Sequence, residues 1–367
     1  MDDALRHRID AAGAPVLTVD TRALADNWRL LAARAQPAVC AAVVKANAYG
    51  TGIEITVPAL RAAGCATFFV AHLSEARRAR AVAPDATIYV LHGLPPSAAP
   101  LYRAIDVRPV LGSRSEVDEW MRDSDGGPFA LHVDTGMNRL GLRIDEALGL
   151  APMLKPSLLI SHFVSSEVTG DPTIPRQIAA FERVRAALPG ILGSLANSSG
   201  IFLDPLPRHD LVRPGYALYG GNPTPGRPNP MRPVVTLEAP VVTVRDVPAG
   251  ETVGYNGQWT ARGNRRIAVV STGYADAVDR RATATDTLPG GEAIVAGRRC
   301  PLAGRVSMDL ITIDVTDLPE GAVRRGDRAT LIGGELDIDR IATQMGTIGY
   351  EILTRLAARL DRRATEG

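Results

Sequence analysis

Between Ala38 and about Tyr219, short β-like apolar runs alternate with Ala/Arg-rich amphipathic stretches of helical period. Such alternation builds repeated βα units on a parallel sheet, because each helix must cover a sheet face that a single strand cannot bury. The spacing predicts strands near 38–44, 66–71, 87–92, 107–111, 129–134, 158–162, 193–196 and 210–212, and a first helix over 22–35. Eight strands predict an eight-stranded parallel α/β barrel of the TIM type. Pro and Gly crowd into 220–233, and β-branched runs then replace the helical period at 234–244, 266–270 and 310–315. The predicted domains are a barrel over 14–232 and a mostly β carboxy-terminal domain over 233–367. Residues 1–20 can add a strand to the latter, since periodicity alone leaves the segment 15–19 open to either.

The polar residues that look chemical fall where the predicted strands stop: Lys45, His92, Arg139, His162, Asn197, Ser198 and Arg213. In an α/β barrel the carboxy-terminal strand ends carry the active site. Composition narrows the partner. The chain has 41 basic and 40 acidic residues, so it offers no broad positive field for nucleic acid or an anionic membrane surface. Cys40, Cys65 and Cys300 are too few and too widely spaced for a disulfide framework or a zinc cluster. With no apolar leader after Met1 and no uninterrupted apolar span of membrane length, a reducing cytoplasm is the expected compartment.

Of the 41 basic residues only Lys45 and Lys155 are lysines, and all the rest are arginine. A surface lysine is replaceable by arginine, whereas a Schiff base needs a primary amine that can lose its proton. Lys45 ends an apolar run and opens a turn of small residues, a setting that desolvates the amine and lowers its pKa. A lone rim lysine is more often a snorkelling cation, but lysine scarcity favours chemistry here. Asn197-Ser198-Ser199-Gly200 and Arg213-Pro214-Gly215-Tyr216 stand in the last two βα loops, where barrels commonly hold phosphate. Each alone is an ordinary turn or helix entry.

Taken in order, the Lys45 segment, Val133-Asp134-Thr135-Gly136-Met137-Asn138-Arg139, Arg213-Pro214-Gly215, Gly273-Tyr274-Ala275-Asp276 and Gly304-Arg305-Val306-Ser307-Met308-Asp309 resemble the alanine racemase family over nearly the whole chain. That resemblance implies a pyridoxal-phosphate enzyme interconverting L- and D-alanine, supplying or consuming D-alanine, a peptidoglycan precursor. It implies that Lys45 carries the cofactor and is one catalytic base, and that Tyr255 is the other. Tyr49, Ser198, Gly215, Tyr216 and Tyr350 would surround the phosphate, with Asn197 in the same loop and His162 near the ring. Arg213 would bond the pyridine nitrogen. Arg139 would approach the phenolic oxygen and the substrate carboxylate, Met308 would help receive that carboxylate, and Tyr274 would gate the entrance. Arg280 would hydrogen-bond behind Tyr255. The family also implies a homodimer with active sites shared between subunits.

His132 departs from the family pattern, occupying the position where many relatives have a carbamylated lysine that positions the counterpart of Arg139. Thr51, Ser307 and Tyr216 depart as well, which bears on fine tuning rather than on the reaction class. Of the other histidines, His72, His92 and His209 read as rim residues. Two other readings stay open: a non-enzymatic pyridoxal-phosphate-binding protein, disfavoured by the β-rich segment that contains Tyr255 and Met308, and a racemase of broader amino-acid specificity. A basic amino-acid decarboxylase is disfavoured because its paired-cysteine signature is missing.

Overall fold

The computed structural model describes residues 13–207 and 209–366. It divides into two compact units, one of Arg22–Arg232 and one formed by Pro233 onward together with the described residues before Arg22. The first strand in the chain, β1 (Val16–Asp20), pairs antiparallel with β11 (Val235–Val247) and parallel with β19 (Asp361–Thr365). The segment that periodicity left open thus lies in the second unit's sheet, while residues 1–12 lie outside the described residues.

In the Arg22–Arg232 unit, β2 (Val39–Cys40) and β3 (Ala42–Val43) form the first barrel stave. It is followed by β4 (Thr67–Val70), β5 (Thr87–Val90), β6 (Arg108–Leu111), β7 (Ala130–His132), β8 (Leu158–Ile160), β9 (Gly193–Ser194) and β10 (Leu211–Val212). From β3 to β9 every neighbour is parallel. The Asp210 and Arg213 amides donate to the Gly193 and Ala196 carbonyls, joining β9 to β10, and β10 pairs in parallel with β2. The ring therefore closes with eight staves. Runs such as Phe68-Phe69-Val70 are fully buried, as expected of parallel strands covered on both faces. The helix Thr21–Ala35 turns Leu24 and Leu31 inward, and its buried Asn27 amide donates to the Leu218 and Arg232 carbonyls.

The second unit is built on β11, a 13-residue strand that also pairs with β14 (Arg265–Val270) and β18 (Arg328–Ile332). The strands β15 (Glu292–Val295) and β16 (Arg298–Pro301) extend the sheet beyond β18, and β17 (Ile311–Asp314) pairs with β14. A short hairpin of β12 (Thr252–Val253) and β13 (Trp259–Thr260) stands apart, with Tyr255 in its connection. Val253 and Trp259 anchor it on a small core with Val247, Ile267 and Ala303. Among the described residues no helix is long and apolar enough to cross a membrane.

Candidate active site

Lys45 follows Val44 at the end of the first stave, where the Val44 amide donates to the Phe69 carbonyl of β4. The small-residue turn expected after it is a left-handed helical turn: Ala46, Asn47, Ala48 and Tyr49 all have φ between 51° and 54°. For L-residues that conformation costs roughly 1–2 kcal/mol each, so the surroundings must hold it. They do so with backbone bonds from Ala48 N to Val44 O and from Gly50 N to Ala46 O, each 2.9 Å, and with side chains. The Asn47 carbonyl oxygen Oδ1 accepts from Ile53 N at 3.2 Å and from Arg78 Nη2 at 2.7 Å. Glu75 Oε1 accepts from Asn47 N at 3.3 Å, and its Oε2 accepts from Ala71 N and His72 N at 2.9 and 3.2 Å. The Lys45 amine is held below its ordinary pKa by burial first and the positive charge of Arg139 second, with Glu75 acting the other way.

Arg213, at the end of β10, is 5% exposed and spends its guanidinium on barrel backbone. Its Nη1 donates to Ser194 O at 2.8 Å and also to Ser194 Oγ, and its Nη2 donates to Ser161 O. It lies 5.8 Å from the centroid of the Phe69 ring. Burial pulls its pKa down to about 10, which still leaves it cationic at neutral pH. Burial, seconded by Arg213, pushes His162 down to about 3 and His132 down to about 4, so both imidazoles are neutral at physiological pH.

The loop that carries Arg139 is shaped by Asp134, whose Oδ1 accepts from the amides of Gly136, Met137 and Asn138 at 2.8–3.1 Å. Backbone bonds between Asp134 and Leu142, and between Leu142 and His132, close it. Gln177, buried on the helix Thr173–Ala187, donates to Thr135 Oγ1 at 3.1 Å and to the His162 carbonyl at 2.9 Å and accepts from Val164 N at 2.9 Å. It ties the loops after β7 and β8 together. The Arg139 guanidinium is exposed and, like Lys45 and Arg213, has no carboxylate within ion-pair distance among the described residues.

The amides of Gly215 and Ala217 both donate to Ser198 Oγ, at 3.0 and 3.2 Å, so two N–H groups and a hydroxyl meet at one point. Asn197 Oδ1 receives Ser166 Oγ and Gly200 N, each at 2.8 Å, and so shapes the same loop. A Cβ at Gly215 would overlap the Tyr49 hydroxyl, and one at Gly221 would overlap the buried Tyr216 ring. Tyr49 stacks on Tyr219 at 4.6 Å, and the Tyr219 hydroxyl donates to the Val43 carbonyl. Glu75, Gln177, Ser161, Ser194 and Tyr219 were not among the expected site residues. For Glu75 the available signal is its place three residues after His72 at a helix start, the spacing of a capping box.

In the β unit the expected residues are bare. Tyr255 is 68% exposed, Met308 53%, Tyr274 44% and Tyr350 40%. Tyr274 N donates to Ser307 O, and Ala275 N to Met308 O, so the two loops lie side by side. Arg359 clamps them by donating to both Asp276 oxygens and to Asp309 Oδ1. Arg280 is exposed, and the bond expected between it and Tyr255 is not formed within one chain: neither side chain has a hydrogen-bond partner among the described residues.

The closed α/β barrel thus holds a lone desolvated amine, a buried arginine and a cradle of N–H groups and a hydroxyl. Residues 19–223 match the family described as alanine racemase, N-terminal domain, and residues 234–364 match alanine racemase, C-terminal domain. The chain is 59% identical to an alanine racemase of Methylobacterium sp. (strain 4-46), over 94% of this chain and 96% of that one. It superposes on an alanine racemase of Bartonella henselae with covalently bound pyridoxal phosphate at a TM-score of 0.89, with 38% identity over 96% and 99% of the two chains. A biosynthetic alanine racemase of Pseudomonas aeruginosa gives a TM-score of 0.88 with 34% identity, over 96% and 99%. The chain belongs to the alanine racemase family.

Proposed function

We propose that this protein interconverts L- and D-alanine with pyridoxal 5'-phosphate as its cofactor, using Lys45 and Tyr255 as bases on opposite faces of the α-carbon. The observation that carries the reading is the cationic set Lys45, Arg139 and Arg213, gathered around one barrel mouth without a carboxylate partner. A site with three positive groups and no carboxylate in direct ion pair with them among the described residues suits an anionic ligand. The donor set also fits the cofactor group by group. The Lys45 amine would hold its aldehyde carbon. The Ser198 hydroxyl and the amides of Gly215 and Ala217 would take its phosphate, with Asn197, Tyr49, Tyr216 and Tyr350 around it. Arg213 would donate to the pyridine nitrogen, and His162 would lie against the ring.

Bound pyridoxal phosphate draws electron density from the amino-acid α-carbon and makes its proton removable. The protein's own part is to take that proton from one face and return one to the other. Lys45 suits one face because burial and Arg139 lower its proton affinity, leaving more of the amine unprotonated at neutral pH than an exposed lysine would have. Tyr255 offers a phenol for the other. Arg139 and Met308 would receive the substrate carboxylate, Tyr274 would gate the entrance, and His132 would face Arg139. Arg213 keeps its own proton at neutral pH and so would offer the ring nitrogen an N–H without protonating it.

The labour falls to a barrel domain that ends at 232 and a β domain over 233–367 that also takes in the strand Val16–Asp20. The bareness of Tyr255, Tyr274, Met308 and Tyr350 supports a homodimer in which Tyr255 of the partner subunit serves the Lys45 barrel. Arg280 would then find its acceptor in the assembled site. Chiral analysis of products from L-alanine, L-serine and L-lysine, with cofactor present, tests the assignment. D-alanine as the main product is expected; cofactor binding without any enantiomer exchange would instead make this a carrier protein.

A further inference from the structure

The reading of Lys45 as the reactive amine leaves open what holds it in place, and the inference drawn here rests on that reading. Four consecutive non-glycine residues in the left-handed region follow the lysine, a strained segment that would relax if its anchors were lost. One anchor reaches across from the neighbouring βα unit. Glu75, in the first turn of the helix Leu73–Val82, accepts from Asn47 N inside the turn through one oxygen and from Ala71 N and His72 N at the end of β4 through the other.

The titratable and charged groups that face Lys45 come from four elements. Arg139 stands in the loop after β7, His92 at the end of β5, His162 at the end of β8, and Glu75 on its helix. Arg139 is positive and the two imidazoles have their pKa values lowered, so Glu75 supplies the opposing negative charge. We propose that Glu75 is the positioning residue for Lys45, a single carboxylate that pins the strained turn after the lysine to the end of β4.

The barrel contains its own control. Glu116, in the first turn of the helix Arg114–Asp123, accepts from Gly112 N at 2.8 Å and from Leu94 N at 2.9 Å in the preceding loop. It is the same device two repeats further on, and the loop it holds carries no lysine. If Glu75 were only a barrel staple, the two glutamates would be equivalent.

The test uses the full-length chain after cofactor removal, with reductive ¹³C-methylation of its two lysines followed by NMR titration. Glu75→Gln removes the charge and keeps one of the two acceptor oxygens. Its Lys45 signal should titrate at lower pH than in the parent while exposed Lys155 stays put, because a charge that favoured the protonated amine is gone. Glu75→Ala removes the anchor as well and should speed amide exchange at Asn47 and Ala48 about tenfold, equivalent to about 1.4 kcal/mol of local stability. Glu116→Ala should leave Lys45 untouched. The proposal fails if Glu75→Gln leaves the Lys45 midpoint where it was, or if Glu116→Ala shifts it equally. Should Glu75→Ala not fold, the Gln variant still decides. Neither readout needs racemisation, so a failure of the activity assignment would be seen separately.

Discussion

Arg213 and Tyr255, two residues of the proposed site, are presented in contrasting ways. Arg213 is 5% exposed and is fixed by bonds to Ser161 and Ser194, whereas Tyr255 is 68% exposed and has no side-chain hydrogen bond among the described residues. The contrast extends to their surroundings. Ser198, Tyr49 and Tyr216 are buried in the barrel unit, and Met308, Tyr274 and Tyr350 stand out from the β unit. Folding one chain is enough to organise the first group. The second has rigid supports, such as the Arg359 clamp on Asp276 and Asp309, but leaves large apolar side chains in water, as surfaces that meet a partner do.

If that division is right, damage to each half should have a different signature. Lys45→Ala should abolish both the visible absorbance of bound cofactor and racemisation, since exposed Lys155 cannot substitute; borohydride reduction and peptide mapping of the parent should label Lys45 alone. Tyr255→Phe should lower racemisation roughly 10²–10⁴-fold, the usual contribution of a positioned acid or base, while leaving the cofactor absorbance intact. Loss of absorbance in the Phe variant would mean that the Tyr255 hydroxyl also helps to hold the cofactor.

Arg139→Leu is gentler. Removing that positive charge should move the Lys45 titration to higher pH, because Arg139 now holds the ammonium form down, and should raise KM for alanine more than it lowers kcat. A shift to lower pH would exclude Arg139 from the neighbourhood of the amine. The smallest effect expected is none: with His132 where a carbamylated lysine would stand, activity should not respond to bicarbonate. A bicarbonate-dependent rise would show that another group forms a carbamate.

Much of the barrel was legible because each stave is a separate apolar run between breakers. The run 87–92 contains β5 at Thr87–Val90, and 158–162 contains β8 at Leu158–Ile160. Lys45 could be picked out because the chain uses lysine so rarely. What stayed hidden depends on contacts distant in sequence or on backbone angles that residue type does not encode. Nothing in Ala46-Asn47-Ala48 prescribes a positive φ; Glu75 and Arg78, about thirty residues on, help hold it. Closure of the ring rests on β2 and β10, strands of two residues each, too short to show a period. Nothing near Arg359 in sequence marks its carboxylate partners, Asp276 and Asp309, which lie 83 and 50 residues away.

The central claim, that one subunit supplies the amine and the other the phenol, is tested most directly by mixing Lys45→Ala and Tyr255→Phe chains. Neither homodimer has an intact site, but a heterodimer has one intact site and one doubly damaged site. With statistical pairing half of the dimers are mixed, so co-refolded chains should recover about a quarter of the parent's alanine racemisation. Heterodimers confirmed by mass spectrometry that remain inactive would contradict the shared site and place both bases in one chain.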